Sequence, residues 1–481
     1  MTDATSVPAS AVTASAVTRG HYGLEAFAAG LHGPAFWPGD AGYDEACRIW
    51  NAMIERRPAL VVRPRDSGEV AACIGFAGNN GLPLSVRGGG HNIAGTALCD
   101  GGVMIDFSTR KEVEVDPATA RVRVQPGAAW IDVDRATQPY GLVVPGGIVS
   151  ATGVAGFTLG GGFGWVSRRY GFAADNLRAV EIVTADGRVR RASAEDNPDL
   201  FWAIRGGGGN FGVVTAFEFE AQPHGPEVVA GLVLHPMAQA KEVLALFREA
   251  TAQAPDGLCH VLIMRKAPPL PIIPEEAHGA PVAGIAVCYS GPLEEGEALV
   301  APIKRFGRPL ADTIGRKPFV AHQQFLDSGQ PFGRRYYWKS EYLDALPAAA
   351  DEMLIAHAQA ISSPHSALLT MHLGGAAARV PEDRTAVGNR RAEFVFNVQG
   401  AWEDAAEDSR HIAWARDFWS AIRPFSSGGT YVNFLTEDAD RERVRAAYGP
   451  ALYDRLARIK ARYDPDNLFR SNQNIRPATG D

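Results

Sequence analysis

Cysteine is scarce. Cys47, Cys73, Cys99, Cys259 and Cys288 are the whole complement of 481 residues, and each stands alone among apolar neighbours. There is no CxxC pair and no Cys/His spacing of a zinc centre, so neither a disulfide framework nor a metal site is expected. The odd, scattered count points to reduced, buried thiols and a cytoplasmic protein. Positive charge is also short: 47 basic residues face 54 acidic ones, for a net charge of −7, with no basic run. That argues against a nucleic-acid surface. No apolar run approaches the roughly 20 residues of a membrane helix, which argues against a membrane protein. Residues 1–20 lack the charged and apolar regions of a signal peptide and read as a disordered tail. No lysine follows a glycine run as in a P-loop, so hydrolysis of nucleoside triphosphates has no support.

Glycine, by contrast, is abundant and clustered, with 52 residues. The organising stretch is Arg87-Gly88-Gly89-Gly90-His91-Asn92-Ile93-Ala94-Gly95, which follows a short buried strand at 84–86. Its bare backbone can close on an anionic group such as a pyrophosphate, with one imidazole behind it and an arginine beside it. A second system runs from Gly153 to Gly164, and a third from Arg205 to Gly212. Within the third, Gly207-x-Gly209-x-x-Gly212 has the lettering of a dinucleotide fingerprint, but a strand follows it where the fingerprint needs a helix, so that match is rejected. Three separated glycine loops suit an extended, flat, polar ligand such as FAD. Three tight β-turns satisfy the same spacing.

Around these loops the periodicity predicts helix over much of 21–57, with Tyr43 to Ile54 at helical spacing, then strand 59–63 and helix 70–79. Alternation predicts strands at 102–106, 113–115, 121–124, 180–184, 189–192 and 213–220, with a hairpin turn at Asp186-Gly187. Near Pro223-His224-Gly225 the glycine clusters stop. Helices at 237–253, 292–306, 346–361 and 405–422 then alternate with strands at 227–235, 258–264, 283–289, 366–373 and 393–400. Asn397 and Gln399, two apart on a strand, share one face. His260, His322 and His372 read as satisfied structural histidines. Tyr336-Tyr337-Trp338 reads as an aromatic strand packed into the core, with a pocket wall as the alternative.

Five motifs in order resemble the berberine-bridge-enzyme-like family, within the vanillyl-alcohol-oxidase or PCMH type of FAD-binding flavoproteins. They are Arg87 to His91, Gly160-Gly161-Gly162-Phe163-Gly164, Asp199 to Gly212, Tyr431-Val432-Asn433, and Tyr463 to Ile475. The resemblance spans about residues 40 to 476. It implies an α+β fold: a PCMH-type two-part FAD-binding domain (21–222 with the returning segment 429–481) and a substrate domain (223–428) whose antiparallel sheet is covered by helices. It also implies FAD joined covalently to His91. The implied cofactor contacts are Arg87, Gly88, Gly89, Gly90, His91, Asn92, Gly95, Pro145, Gly153, Gly156, Thr158, Gly160, Gly161, Gly164, Gly212, Val214, Asn472 and Asn474.

Departures from the family pattern sharpen the expectation. Many relatives add a second flavin link from a cysteine; here Val149 holds that place, which leaves a single link. The tyrosine base that ends a Tyr-x-Asn-Tyr motif in relatives is Phe434 here. Tyr431, Gln399 and Asn397 are then the candidates for polar work at the reacting centre. Thr152 matches the position that controls oxygen access, and its small side chain favours reaction with O2. The expected activity is oxidation of a C–H of a small alcohol, sugar, phenolic or amine metabolite, with O2 as acceptor. The alternatives are a dehydrogenase with an organic acceptor and, on the strength of Phe434, a flavin-carrying binding protein without turnover. Neither substrate nor oligomeric state is set by the sequence.

Overall fold

The computed structural model describes residues 23–479, and the expected tail at 1–20 lies outside them. Strands β1 (Ala35–Phe36), β2 (Leu60–Val62), β3 (Leu84–Arg87) and β4 (Val103–Asp106) form a sheet in the order β1-β2-β4-β3, with β2 and β3 parallel to β4. Parallel neighbours need a crossover, and the helix Ser67–Asn79 leads from β2 towards β3. Asp66 starts this helix by accepting a hydrogen bond from the Glu69 N–H at 3.0 Å. Val70, Cys73, Ile74 and Ala77 are its buried stripe.

A second sheet orders β5 (Val113–Asp116), β6 (Arg121–Val124), β10 (Val213–Glu220), β8 (Leu177–Val183) and β9 (Val189–Ser193), all antiparallel. The alternation expected at 121–124 is present: Val122 and Val124 are buried while Arg121 and Arg123 face solvent. Two short strands, β7 (Leu142–Val143) and β11 (Gln222–Pro223), pair beside it.

The third sheet is the largest and is antiparallel throughout. It contains β12 (Glu227–Pro236), β13 (Leu258–Lys266), β14 (Pro281–Tyr289), β15 (Ala311–Asp312), β16 (Gly315–Pro318), β17 (Arg335–Leu343), β18 (Ala367–His372) and β19 (Phe394–Trp402). Its order is β15-β12-β14-β13-β18-β19-β17, with β16 beside β12. One face packs on the helices Ala240–Ala252, Leu293–Arg305, Asp351–Gln359 and Asp408–Ile422 through Phe247, Val300, Leu354, Phe396 and Phe418. The opposite face, with Val261, Ile263, Leu369 and Val395, meets Phe163 and Trp165 of the glycine-rich half.

The chain then returns. Helices Arg441–Tyr448 and Pro450–Tyr463 pack Val444, Leu456 and Ile459 against Phe201 and Trp202. Lys460 is fully buried, forms an ion pair with Asp464 at 2.7 Å, and donates to the carbonyls of Asn210 and Phe469. The Asn210 side chain accepts from the Ile475 N–H at 2.9 Å. The third glycine system and the end of the chain are thereby one structure.

The helix expected across 43–54 stops at Cys47. Contacts far along the chain override the local spacing. Asn51 donates to the carbonyls of Ile93 and Tyr336 and accepts from the Tyr336 N–H, which holds 48–57 as an irregular connector.

Candidate active site

A cavity of about 620 Å³ lies between the glycine systems and the open face of the large sheet. That volume is in the range of small-molecule sites, roughly 300–1,000 Å³. One wall contains Gly88, Gly89, Gly90, His91, Asn92, Thr152, Gly153, Gly156, Gly160, Gly212 and Val214. The lining also includes Gly208, Gly209, Asn210 and Asn472, and Trp338, Gln399, Tyr431 and Phe434. Many of the candidate residues, drawn from six regions of the chain, therefore share one space.

Eight do not line it. Arg87 turns away: its Nη1 donates to the Ala46 carbonyl at 2.6 Å and its Nε lies 3.9 Å from Asp106, so it braces the strand end and does not face a ligand. Gly95 and Gly161 adopt positive φ and close on Ile54 and Val387. Gly164 sits so tightly against the Gly146 carbonyl that a Cβ would lie 2.0 Å from it. Pro145 is buried behind the lining. Thr158 and Asn474 have side-chain oxygens that are buried without a hydrogen-bond partner. Asn397 lies on the same face of β19 as Gln399 but is sealed behind the lining, with both amide atoms unpartnered.

The glycines also divide by role. A Cβ at Gly89 would lie 2.5 Å from the Gly153 Cα, and one at Gly153 would lie 2.6 Å from the Gly89 Cα. The first and second systems therefore need glycine to pack against each other. Gly156 and Gly209, with no atom near their missing Cβ, present bare backbone to open space.

His91 sits in an aromatic nest. Trp50 stacks on it with ring centroids 4.6 Å apart, and Phe332 meets it edge-on at 5.7 Å. Trp50 also stacks on Tyr336 at 3.6 Å and donates from Nε1 to the Gln330 carbonyl at 2.9 Å. Burial pushes the His91 imidazole down to about 4, so it is neutral at pH 7, and its Nε2 is buried without a partner.

Tyr431 does not serve as a resting base. Burial pushes its phenol well above the ordinary value, and its oxygen accepts from the Gly162 N–H at 3.1 Å and from Asn433 Nδ2 at 2.7 Å. It stands in the cavity wall as a protonated phenol. Gln399 accepts at Oε1 from Gln330 Nε2 at 2.9 Å. Thr152 and Val149 lie together in the lining. Their loop is tied across the cavity: Asp327 accepts from the Ser150 N–H at 2.8 Å and its hydroxyl at 2.6 Å, and Gln323 donates to the Gly147 carbonyl at 2.8 Å.

Two expectations need correction. His260 and His322 are buried with neither ring nitrogen partnered, so they are not satisfied; only His372 has a bond, to Arg168 Nη1 at 2.8 Å. The aromatic triplet splits between the two readings. Trp338 lines the cavity, Tyr336 packs on Trp50, and Tyr337 donates to Asp438 at 2.6 Å on the other side of β17. Sequence reasoning missed Trp50, Asn51, Gln330, Arg265 and Arg334, none of which sits in a motif.

The lining fits FAD. Bare backbone at Gly156 and Gly209 admits a flat, extended group, while the unpartnered atoms His91 Nε2, Asn472 Oδ1, Trp338 Nε1 and Gln330 Oε1 ask for a polar one.

Comparison with known proteins agrees with this geometry. Residues 58–193 match the FAD binding domain model, and residues 430–476 match the model for berberine and berberine-like proteins. An FAD-linked oxidoreductase of Dictyostelium discoideum is 30% identical over 456 residues, covering 94% of this chain and 96% of that one. The (R)-6-hydroxynicotine oxidase of Paenarthrobacter nicotinovorans is also 30% identical, over 93% of this chain and 97% of its own. The crystal structure of 6-hydroxy-D-nicotine oxidase from Arthrobacter nicotinovorans superposes with a TM-score of 0.84 at 28% identity, covering 93% of this chain and 98% of that one.

Proposed function

The chain belongs to the berberine-bridge-like FAD-linked oxidoreductases, and from that premise we propose an oxidase that takes a hydride from a C–H of a small alcohol, sugar, phenolic or amine metabolite and uses O2 as acceptor. The observation that carries this reading is the single cavity joining the glycine-lined wall at His91 to the polar and aromatic side chains of the large sheet, Trp338 and Gln399. Bound FAD supplies the two-electron chemistry; the protein supplies binding, orientation and electrostatics.

In this proposal residues 21–222 and 429–481 hold FAD, and residues 223–428 face the substrate. His91 carries the cofactor through one covalent bond, a role supported by its neutral imidazole and unpartnered Nε2. Val149 offers no sulfur for a second bond. Tyr431 orients rather than deprotonates, since its oxygen already accepts two N–H groups. Gln399, held by Gln330, offers its amide to a substrate hydroxyl or amine. Thr152 leaves room for O2 beside Gly153. An oxidase is favoured over a dehydrogenase by that small gate residue and by the likeness to the (R)-6-hydroxynicotine oxidase. Five unpaired cysteines support a reducing, cytoplasmic setting. Among the described residues no helix is long and apolar enough to cross a membrane.

The test is a panel of alcohols, sugars, phenols and amines, read by O2 uptake and by anaerobic bleaching of the flavin absorbance. Bleaching with O2 uptake is expected for one class. Bleaching without O2 uptake would replace the oxidase by a dehydrogenase, and no bleaching with any class would favour a binding protein.

A further inference from the structure

We propose that the end of the cavity formed by the large sheet is a carboxylate-binding site, with Arg265 as the anchor for an anionic group on an otherwise apolar substrate. This rests on the oxidoreductase reading and names the class of molecule it acts on.

The sheet register builds the site. Arg265 on β13 is paired with Ala367 on β18, Ala367 with Gln399 on β19, and Gln399 with Trp338 on β17, and all four line the cavity. Neighbouring strands lie about 4.8 Å apart, so the backbone of Arg265 is roughly 10 Å from that of Gln399. Ala367, between them, leaves the intervening floor open. A molecule lying across Ala367 reaches the guanidinium at one end and the Gln399–Gln330 amide pair at the other.

The charge at this end is unbalanced. The one hydrogen bond of Arg265 is from Nε to the carbonyl of its neighbour Lys266 at 3.2 Å, and among the described residues no carboxylate lies within ion-pair distance of it. Arg334, also in the lining, has a buried Nε without a partner. Its Nη2 reaches Glu403 at 3.3 Å, and the same Glu403 oxygen is 3.3 Å from His365 Nε2. Glu403 is 69% exposed, so one solvated carboxylate serves two groups while Arg265 has none. Desolvation and the like charge of Arg334 both push the Arg265 guanidinium down.

A partly buried guanidinium without a counter-ion is costly to keep, and a planar carboxylate is the group its fork matches in two hydrogen bonds. Apolar side chains stand beside it: Leu234, Ile263 and Leu369 are in the lining, as are Leu270 and Ile272, which are 46% and 54% exposed. Such walls select a hydrocarbon or aromatic body. A neutral sugar satisfies neither the cation nor the walls.

The test uses isothermal titration of the purified holoprotein with benzoate, phenylacetate and 3-phenylpropionate, each beside its amide. At least one acid is expected to bind about tenfold more tightly than its amide, the scale of one charge-assisted bidentate contact. Arg265→Gln should remove that preference and Arg265→Lys should keep part of it, with flavin absorbance and melting temperature unchanged. The acid–amide comparison on the unmodified protein tests the charge requirement even if a variant folds poorly. The proposal is overturned if no acid outbinds its amide, or if folded Arg265→Gln retains the preference. Failure of the oxidoreductase reading shows separately, as missing flavin absorbance, because the calorimetric signal does not depend on it.

Discussion

Trp50 stacks on His91 with the two rings 17° from parallel, and the same indole stacks on Tyr336 at 9°. One side chain from an irregular connector thus couples His91 to β17 of the large sheet. Its position fixes the plane of the imidazole.

Trp50→Ala should therefore act twice. Removing a fully buried indole costs about 3–5 kcal/mol of stability, and it frees the His91 ring to turn. Thermal denaturation is expected to show the loss, and the fraction of protein retaining flavin after acid precipitation should fall. Trp50→Phe should restore much of both.

Acid should weaken the fold before the carboxylates titrate. Burial pushes His322 down to about 3 and His224 to about 4. The unfolded chain takes up these protons near pH 6.5 and the folded chain refuses them until far lower. Between those values the unfolded state binds more protons, so stability falls as pH drops through 6.5 and is unaffected above about 7. His322 packs on Trp165 and Phe325, so leucine suits its site. His322→Leu should make the decline between pH 6.5 and 5 shallower by up to about 1.4 kcal/mol per pH unit. Denaturant melts across that range check this.

The Lys460–Asp464 pair is completely buried. Lys460→Met leaves the Asp464 carboxylate without its counter-ion, held only by the N–H groups of Leu468 and Phe469, and removes the bonds to the Asn210 and Phe469 carbonyls, at a cost of about 3–5 kcal/mol. Because Asn472 and Asn210 line the cavity, flavin content should fall as well. Adding Asp464→Asn, which removes the buried charge and keeps an acceptor for the Leu468 N–H, should recover part of the stability, as measured by denaturant midpoint.

Thr152→Leu tests the oxygen gate. If O2 passes beside Gly153, reoxidation of the reduced protein should slow by about tenfold or more, equivalent to about 1.4 kcal/mol on the barrier. Anaerobic reduction by substrate should change little. Stopped-flow absorbance separates the two half-reactions.

Much of the fold was legible because local patterns agreed with it. The alternation of Val122 and Val124 marks β6, and the Asp66 cap marks the helix that follows β2. The glycine systems and His91 marked one lining of the cavity. What the sequence hides is long-range: Trp50 bonds to Gln330, 280 positions away, and Asn51 holds Tyr336 at a separation of 285. No spacing rule reports such contacts. Arg265 and Gln399 become neighbours only through the register of three strands. Likewise, Gly89 and Gly153 read as ligand contacts in sequence, yet their closest demand comes from each other.

The most direct test of the account is acid precipitation of the purified protein followed by mass analysis of its peptides. Yellow colour in the pellet, with FAD mass on the peptide containing His91 and none on that containing Val149, is the predicted result. Colour released to the supernatant would contradict the covalent bond, and protein without any flavin would contradict the assignment as a whole.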